Sequence, residues 1–166
     1  MTILVMLSGA KHLRSIEGYL SMPTYICAAR EGSLTKGQKA EIAELITRVH
    51  NEVTGAPRSF VQVLFGDLKP GSQFIGGMRP SADQVWINGD IRAGRSERDK
   101  SKLMLDILRG FSRISGVPEA DVWVYLNELP PKNMAEFGQV LPEPGGEEAW
   151  MAALPQDLRD KLRKMG

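Results

Sequence analysis

The chain has one cysteine and two histidines in 166 residues. A single thiol, Cys27, excludes an intrachain disulfide framework and fits a reducing, cytoplasmic compartment. Cys27 falls in an apolar, strand-like run and reads as a buried, inert thiol. Too few Cys and His residues are present for a structural zinc site. Charge of one sign is also missing: 21 Lys and Arg against 20 Asp and Glu leave a net charge of +1. That balance gives no electrostatic reason to expect nucleic acid or a membrane surface as a partner. No apolar stretch approaches the roughly 20 residues that span a bilayer. Residues 1–22 open on the apolar run from Met1 to Leu7, with Lys11, His12 and Arg14 only afterwards, the reverse of a secretory signal. They read as a leader or a mis-called start that is no part of the fold. What is present, 42% hydrophobic and 25% charged residues, supports one domain with a real core over residues 23–166.

The stretch Met22-Pro23-Thr24-Tyr25-Ile26 reads as a translation start followed by a proline that opens a strand. If Met22 is the initiator and is removed, Pro23 carries a free secondary amine. Such an amine gives or takes a proton near neutral pH, which no internal proline can do.

From there the chain repeats itself. Thr54-Gly55-Ala56-Pro57 precedes the run Phe60–Phe65, and Ser115-Gly116-Val117-Pro118 precedes Val122–Leu126. An offset of 61 residues relates the two and carries Thr35 onto Ser96, Lys39 onto Lys100 and Pro23 onto Gln84, with no gap. Each copy, about 23–67 and 84–128, reads as strand, helix, strand. In the first, Pro23–Ala29 is strand-like, Thr35 and Gln38 form a capping box, and Ile42, Leu45, Ile46, Val49 and Val53 make a helical stripe. Gly55 then stops the helix. In the second, Val85–Ile87 is the strand, and Ser96 caps a helix with Leu103, Ile107, Leu108, Phe111 and Ile114 inward. Right-handed crossovers make the strands of each unit parallel. The expected fold is therefore α/β (α+β): tandem β-α-β units in a four-stranded sheet with two helices on one face. The other face is left apolar and needs a second copy, or the tail, to cover it. Gly71–Gly77 reads as a turn-rich linker or small hairpin. The tail, 129–166, is irregular to about residue 150, with a short amphipathic helix over 154–165.

Gly89-Asp90-Ile91-Arg92-Ala93-Gly94-Arg95-Ser96 approaches the phosphate-loop pattern, but Arg95 stands where lysine belongs and the sheet is too small. A nucleotide-binding module is a distant alternative. The anion-binding physics remains: two guanidinium forks beside a helix start suit a carboxylate. His50 lies on the first helix and by itself is a partly buried helix-end histidine. Tyr125 shares a strand face with Trp123, Glu136 lies in the irregular tail, and Trp86, Trp123 and Trp150 read as packing residues.

Pro23, His50, Arg92, Arg95, Tyr125 and Glu136 together resemble the active site of the cis-3-chloroacrylic acid dehalogenase family of the tautomerase superfamily. Phe74-Ile75-Gly76-Gly77 and Leu141-Pro142-x-Pro144-Gly145 are also similar, so the resemblance covers Pro23 to about Trp150. It implies a cofactor-independent enzyme, a homotrimer, that adds water to the conjugated double bond of a cis-3-haloacrylate, giving malonate semialdehyde and halide. Arg92 and Arg95 would bind the carboxylate, with His50 helping to hold it or the water. Glu136 and Tyr125 would activate the water, and Pro23 would protonate the α-carbon. Within the family, hydration, decarboxylation or tautomerisation of other small unsaturated or enol acids is the alternative, with Phe60, Phe74, Ile75 and Met78 as residues that could shape the pocket. A non-enzymatic trimer is a more distant one.

Overall fold

The structure, a computed structural model, describes residues 23–80 and 82–165. The expected leader, 1–22, lies outside the described residues. Strand β1 (Thr24–Arg30) leads into helix α1 (Lys36–Thr54) and strand β2 (Gln62–Leu68). Strand β3 (Val85–Arg92), helix α2 (Glu97–Ser115) and strand β4 (Val122–Leu129) repeat the unit. The sheet order is β2-β1-β3-β4. Each unit pairs its own strands in parallel, and β1 meets β3 antiparallel at the centre.

Local chemistry sets the helix bounds. Thr35 Oγ1 accepts from the Gln38 N–H while the Gln38 side chain accepts from the Thr35 N–H, a complete capping box. Ser96 accepts from the Asp99 N–H in the same way. Gly55 and Gly116 end the helices at φ 76° and 79°, a left-handed conformation that a side chain would strain. Tyr25, Cys27 and Ala29 of β1 and Val85, Ile87 and Ile91 of β3 face the helices. There they bury with Ile42, Leu45, Ile46 and Val49 of α1 and Leu103, Ile107 and Phe111 of α2. Burial pushes the Cys27 thiol up to about 12, so it stays protonated and unreactive.

The opposite face of the sheet is open. Ile26, Leu64, Trp86, Trp123 and Tyr125 stand there, between 36% and 51% exposed. Trp86 and Trp123 therefore do not pack in the core of this chain: strand alternation turns them to the open side. Trp150 does pack, in a second cluster with Phe60, Met134, Leu141, Leu154 and Leu162.

The tail is more regular than expected. It holds a two-stranded hairpin, β5 (Ala135–Glu136) with β6 (Gln139–Val140), and two helices, α3 (Glu147–Ala153) and α4 (Gln156–Lys164). Trp150 Nε1 donates to Val140 O at 2.9 Å, which fastens α3 to the hairpin. Among the described residues no helix is long and apolar enough to cross a membrane.

The repeat needs a gap. Gln62 answers to Trp123, 61 residues on, but Thr24 answers to Trp86, 62 residues on. The loop between first strand and helix is one residue shorter in the second unit, Ala93–Arg95 against Glu31–Leu34, before the caps at Ser96 and Thr35. Pro23 thus corresponds to Val85 rather than Gln84, and Arg92 corresponds to Arg30.

Candidate active site

One end of the sheet gathers the start of β1, the start of β2 and the ends of β3 and β4. Pro23 is buried there, and its carbonyl accepts from the Gln62 N–H at 2.9 Å. Thr24 lies opposite Asp90, so Pro23 is carried to the level of Ile91, beside Arg92. The C-terminus of α1 and the start of α2 close over this end. His50 is 2% exposed, and its Nδ1 lies 2.8 Å from the Tyr25 hydroxyl. Tyr25 reaches it because the ring passes over Gly89, where a Cβ would sit 2.5 Å from Tyr25 Cε1.

Electrostatics keep this pair uncharged. Burial, then the nearby Arg95 charge, pulls His50 down to about 3, so the imidazole is neutral at neutral pH. Burial pushes the Tyr25 phenol well above its ordinary value, against the opposing pull of Arg95. Where Nδ1 accepts from the phenol, Nε2 carries the imidazole proton and is a donor.

Arg95 Nη1 donates to Thr54 O at 3.3 Å, at the C-terminal end of α1, where a cation is favoured. The loop that carries it is ordered by Glu128 Oε1, which accepts the N–H groups of Gly94 and Arg95 at 3.2 and 3.3 Å. Lys100 holds the other oxygen at 2.8 Å. Three hydrogen bonds, led by the one from Lys100, outweigh burial and hold the Glu128 carboxyl below its ordinary range. The Gly94 and Arg95 amides of the loop before α2 are thus already taken by a carboxylate of the chain. Gly89–Arg92 is extended strand, so the phosphate-loop resemblance has no matching cradle.

Arg92 is 3% exposed. Its Nη1 donates to Glu147 Oε1 and its Nη2 to Pro142 O, each at 3.0 Å. Glu147 had no signal in the sequence: a carboxylate between glycines and a tail helix looks solvated until the fold buries it. Tyr25 was missed similarly, although its place two residues after Pro23 on the same strand face was the available clue.

Glu136 is half-buried at the tip of the β5–β6 hairpin. The next residue, Phe137, packs edge-on against Phe60 and Trp150, which sets the hairpin beside the entry to β2. Phe137 takes φ 51°, a positive value unusual for a side-chain-bearing residue. Tyr125 is not brought to this group within the chain. It stands on the open face, 51% exposed and edge-on to Trp86, with Tyr25 and His50 behind the sheet. Phe74, Ile75 and Met78, expected near the pocket, lie on the β2–β3 connection at the opposite end. A cavity of about 380 Å³ also lies at that far end, lined by Arg30, Lys69, Gln73, Arg79 and Asp83 among others. Among the described residues no three His, Cys, Asp or Glu side chains group as a metal site would need.

A protein family described as "Putative oxalocrotonate tautomerase enzyme" matches residues 22–153. The crystal structure of N1, a member of the cis-3-chloroacrylic acid dehalogenase family, superposes with a TM-score of 0.80 at 40% identity. That match covers 85% of this chain and 99% of N1. Native fused 4-OT, at 22% identity and TM-score 0.62, covers 70% of this chain and 94% of its own and shares the fold. So does FG41 malonate semialdehyde decarboxylase inhibited by 3-bromopropiolate, at 20% identity and TM-score 0.62, covering 80% and 99%. No curated protein sequence matches the chain. On the family match and the N1 alignment together, the chain belongs to the cis-3-chloroacrylic acid dehalogenase family of the tautomerase superfamily.

Proposed function

We propose that the protein is a cofactor-independent enzyme that adds water across the double bond of a small unsaturated carboxylic acid, with a cis-3-haloacrylate as substrate. The observation that carries this reading is the meeting of Pro23, His50, Arg92 and Arg95 at one end of the sheet, around an uncharged imidazole. Arg92 and Arg95 hold the substrate carboxylate, and the neutral His50 donates to that carboxylate or to the water. Arginine charge draws electron density toward the carboxylate and leaves the β-carbon open to attack. Glu136 takes a proton from water as its oxygen bonds to the β-carbon, while the Pro23 ammonium gives a proton to the α-carbon. The halohydrin expels halide, the hydroxyl loses its proton, and malonate semialdehyde remains.

Pro23 does this as a chain terminus, so residues 1–22 are absent from the active form. Intact mass of the protein made from its native gene tests that: full activity with Met1 still attached rules out the amino-terminal mechanism. Tyr125 faces away from its own Pro23, so it joins the water site from a second copy, and the open face is the contact surface of a homotrimer. Mixing Pro23→Ala with Tyr125→Phe protein tests this, because mixed trimers regain sites with both residues. No gain over the separate variants sinks the shared site.

The reaction itself is followed by proton NMR, using protein that starts at Pro23, with cis-3-chloroacrylate in one tube and propiolate in another. Malonate semialdehyde formed from the chloro acid, and lost in Pro23→Ala, is the expected result. Inert chloroacrylate with rapid loss of propiolate would instead mean a hydratase or decarboxylase of non-halogenated acids.

A further inference from the structure

The first repeat unit buries a hydroxyl and an imidazole where the second buries hydrocarbon. Tyr25 and His50 are 0% and 2% exposed and meet at 2.8 Å; the positions that match them, Ile87 and Phe111, are fully buried and apolar. The frame itself has no need of a polar pair there, and burying one costs desolvation that its hydrogen bond offsets. The sheet also makes room for it. Gly89 lies between Tyr25 and Leu126 in the row across β1, β3 and β4, and a Cβ on it would come within 2.5 Å of the Tyr25 ring and 2.8 Å of Leu126 Cδ2. Among the described residues the Tyr25 hydroxyl has no partner besides His50 Nδ1. If the imidazole donated, the buried phenol proton would have no acceptor; with the phenol donating to Nδ1, both groups are satisfied. The neutral imidazole has one proton, which then sits on Nε2. Among the described residues only Gln84 Nε2 and Arg159 Nε are fully buried side-chain nitrogens or oxygens without a partner. His50 Nε2, which has none there either, is therefore not fully buried and stays reachable.

We propose that Tyr25 is a positioning residue: its hydroxyl locks His50 as the Nε2–H tautomer, so that the imidazole meets the substrate as a donor and the site takes ligands that place an anionic oxygen there. This rests on the function proposed above, in which Arg92 and Arg95 hold the substrate carboxylate and His50 donates to it or to the water. Tyr25 does not touch the substrate. It acts through His50, by denying Nδ1 the proton and by holding the plane of the ring. Without the hydroxyl, the two ring nitrogens compete for the proton. In the Nδ1–H form, Nε2 turns a lone pair toward the carboxylate and repels it.

The test is read first without turnover. His12 and His50 are the two histidines of the chain, so protein starting at Pro23 holds His50 alone. Proton–nitrogen NMR of that protein, labelled in histidine, shows which ring nitrogen is protonated. The native protein is expected to show one form, with Nε2 protonated and Nδ1 bare. Tyr25→Phe, which keeps the ring and removes the oxygen, is expected to draw the two nitrogen signals toward each other as the tautomers mix. Gly89→Ala, which keeps the hydroxyl and displaces the ring, is expected to do the same, so misfolding of one variant leaves the other to be read. Isothermal titration then uses isocrotonate, the methyl analogue of cis-3-chloroacrylate. The folded variants are expected to bind it about tenfold more weakly than the native protein, as for a lost hydrogen bond to a charged group. A native spectrum with Nδ1 protonated overturns the proposal. So do unshifted nitrogens in the folded variants, or native-like binding of isocrotonate once the tautomers have mixed. Turnover of cis-3-chloroacrylate by the native enzyme with unshifted nitrogens in the variants sinks this proposal alone. Mixed tautomers and weakened binding in the variants, without turnover by the native enzyme, sink the dehalogenase reading alone.

Discussion

The two β-α-β units share a frame and differ in what stands at its ends. Thr54 Oγ1 donates to His50 O and accepts from the Ala56 N–H; Ser115 Oγ donates to Phe111 O and accepts from the Val117 N–H. Lys39 pairs with Asp67 as Lys100 pairs with Glu128. Yet the helix position that holds a buried imidazole in the first unit, His50, holds a buried phenyl ring in the second, Phe111. The arginine that ends β3 is sealed by Glu147, whereas its counterpart Arg30, ending β1, lies in solvent against Asp83. The tail supplies the difference, because it folds over one end of the sheet only. Repetition built the frame, and the polar site appears where the repeat is broken.

The largest effect separates Pro23 from its counterpart Val85. Pro23→Ala is expected to lower kcat/KM by about a hundredfold or more, since proton transfer from a positioned group contributes on that scale. Val85→Ala costs about 2 kcal/mol of stability and leaves kcat/KM near native. NMR turnover and thermal unfolding of both variants check this, and equal losses of activity would erase the distinction between the two ends.

Next in size is the arginine pair. Arg92→Ala strands the Glu147 carboxylate in a buried place and should cost about 3–5 kcal/mol. Arg30→Ala removes a solvent-screened contact and should leave the unfolding midpoint within experimental scatter. Denaturant melts of the two variants decide whether the tail makes the difference.

His50→Phe copies the second unit into the first. In the folded protein His50 is held near 3, against an ordinary value of 6.5. Between those pH values the unfolded chain binds a proton that the folded one refuses. The stability tied to His50 is therefore complete above about pH 6.5 and is lost progressively as pH falls toward 3. The variant should lose that part of the slope. At neutral pH it should be less stable by about 1–3 kcal/mol, because the buried Tyr25 hydroxyl loses its partner. Unfolding midpoints from pH 4 to 8 measure both, and an unaltered slope would mean that His50 is not held neutral by burial.

The smallest effect sharpens the comparison at the loops. Glu128→Gln loosens the Gly94–Arg95 turn and should raise KM several-fold with little change in kcat, about 1 kcal/mol of binding. Asp67→Asn, at the matching position, serves no such loop and should leave KM unchanged. Steady-state kinetics on the two variants distinguish them.

Much of the frame was legible in short stretches of chain. Thr35 with Gln38, Ser96, Gly55 and Gly116 announce helix ends because caps and left-handed turns are satisfied within four residues. The apolar stripes of α1 and α2 follow from helical spacing. Less legible was β3, expected to stop at Ile87. Asn88-Gly89-Asp90 is poor in strand-forming residues, but Asn127 Nδ2 donates across the strand pair to both Asn88 and Asp90, and pairing to β1 and β4 keeps the backbone extended. Helix α3 was hidden because its stability comes from Trp150 docking on residues far from it in sequence.

By itself, the sequence determined the repeat, the helix ends, the alternation of strand faces and the set of residues available for chemistry. Local hydrogen bonds and the periodicities of helix and strand depend on near neighbours alone. Only the tertiary structure decided that the repeat slips by one residue, that Arg92 pairs with the distant Glu147, that His50 is uncharged and that Tyr25 bonds it. It also decided that Tyr125 looks away from its own Pro23. Burial and charge pairing are set by residues distant along the chain, and their energies exist only once the fold has brought those residues together.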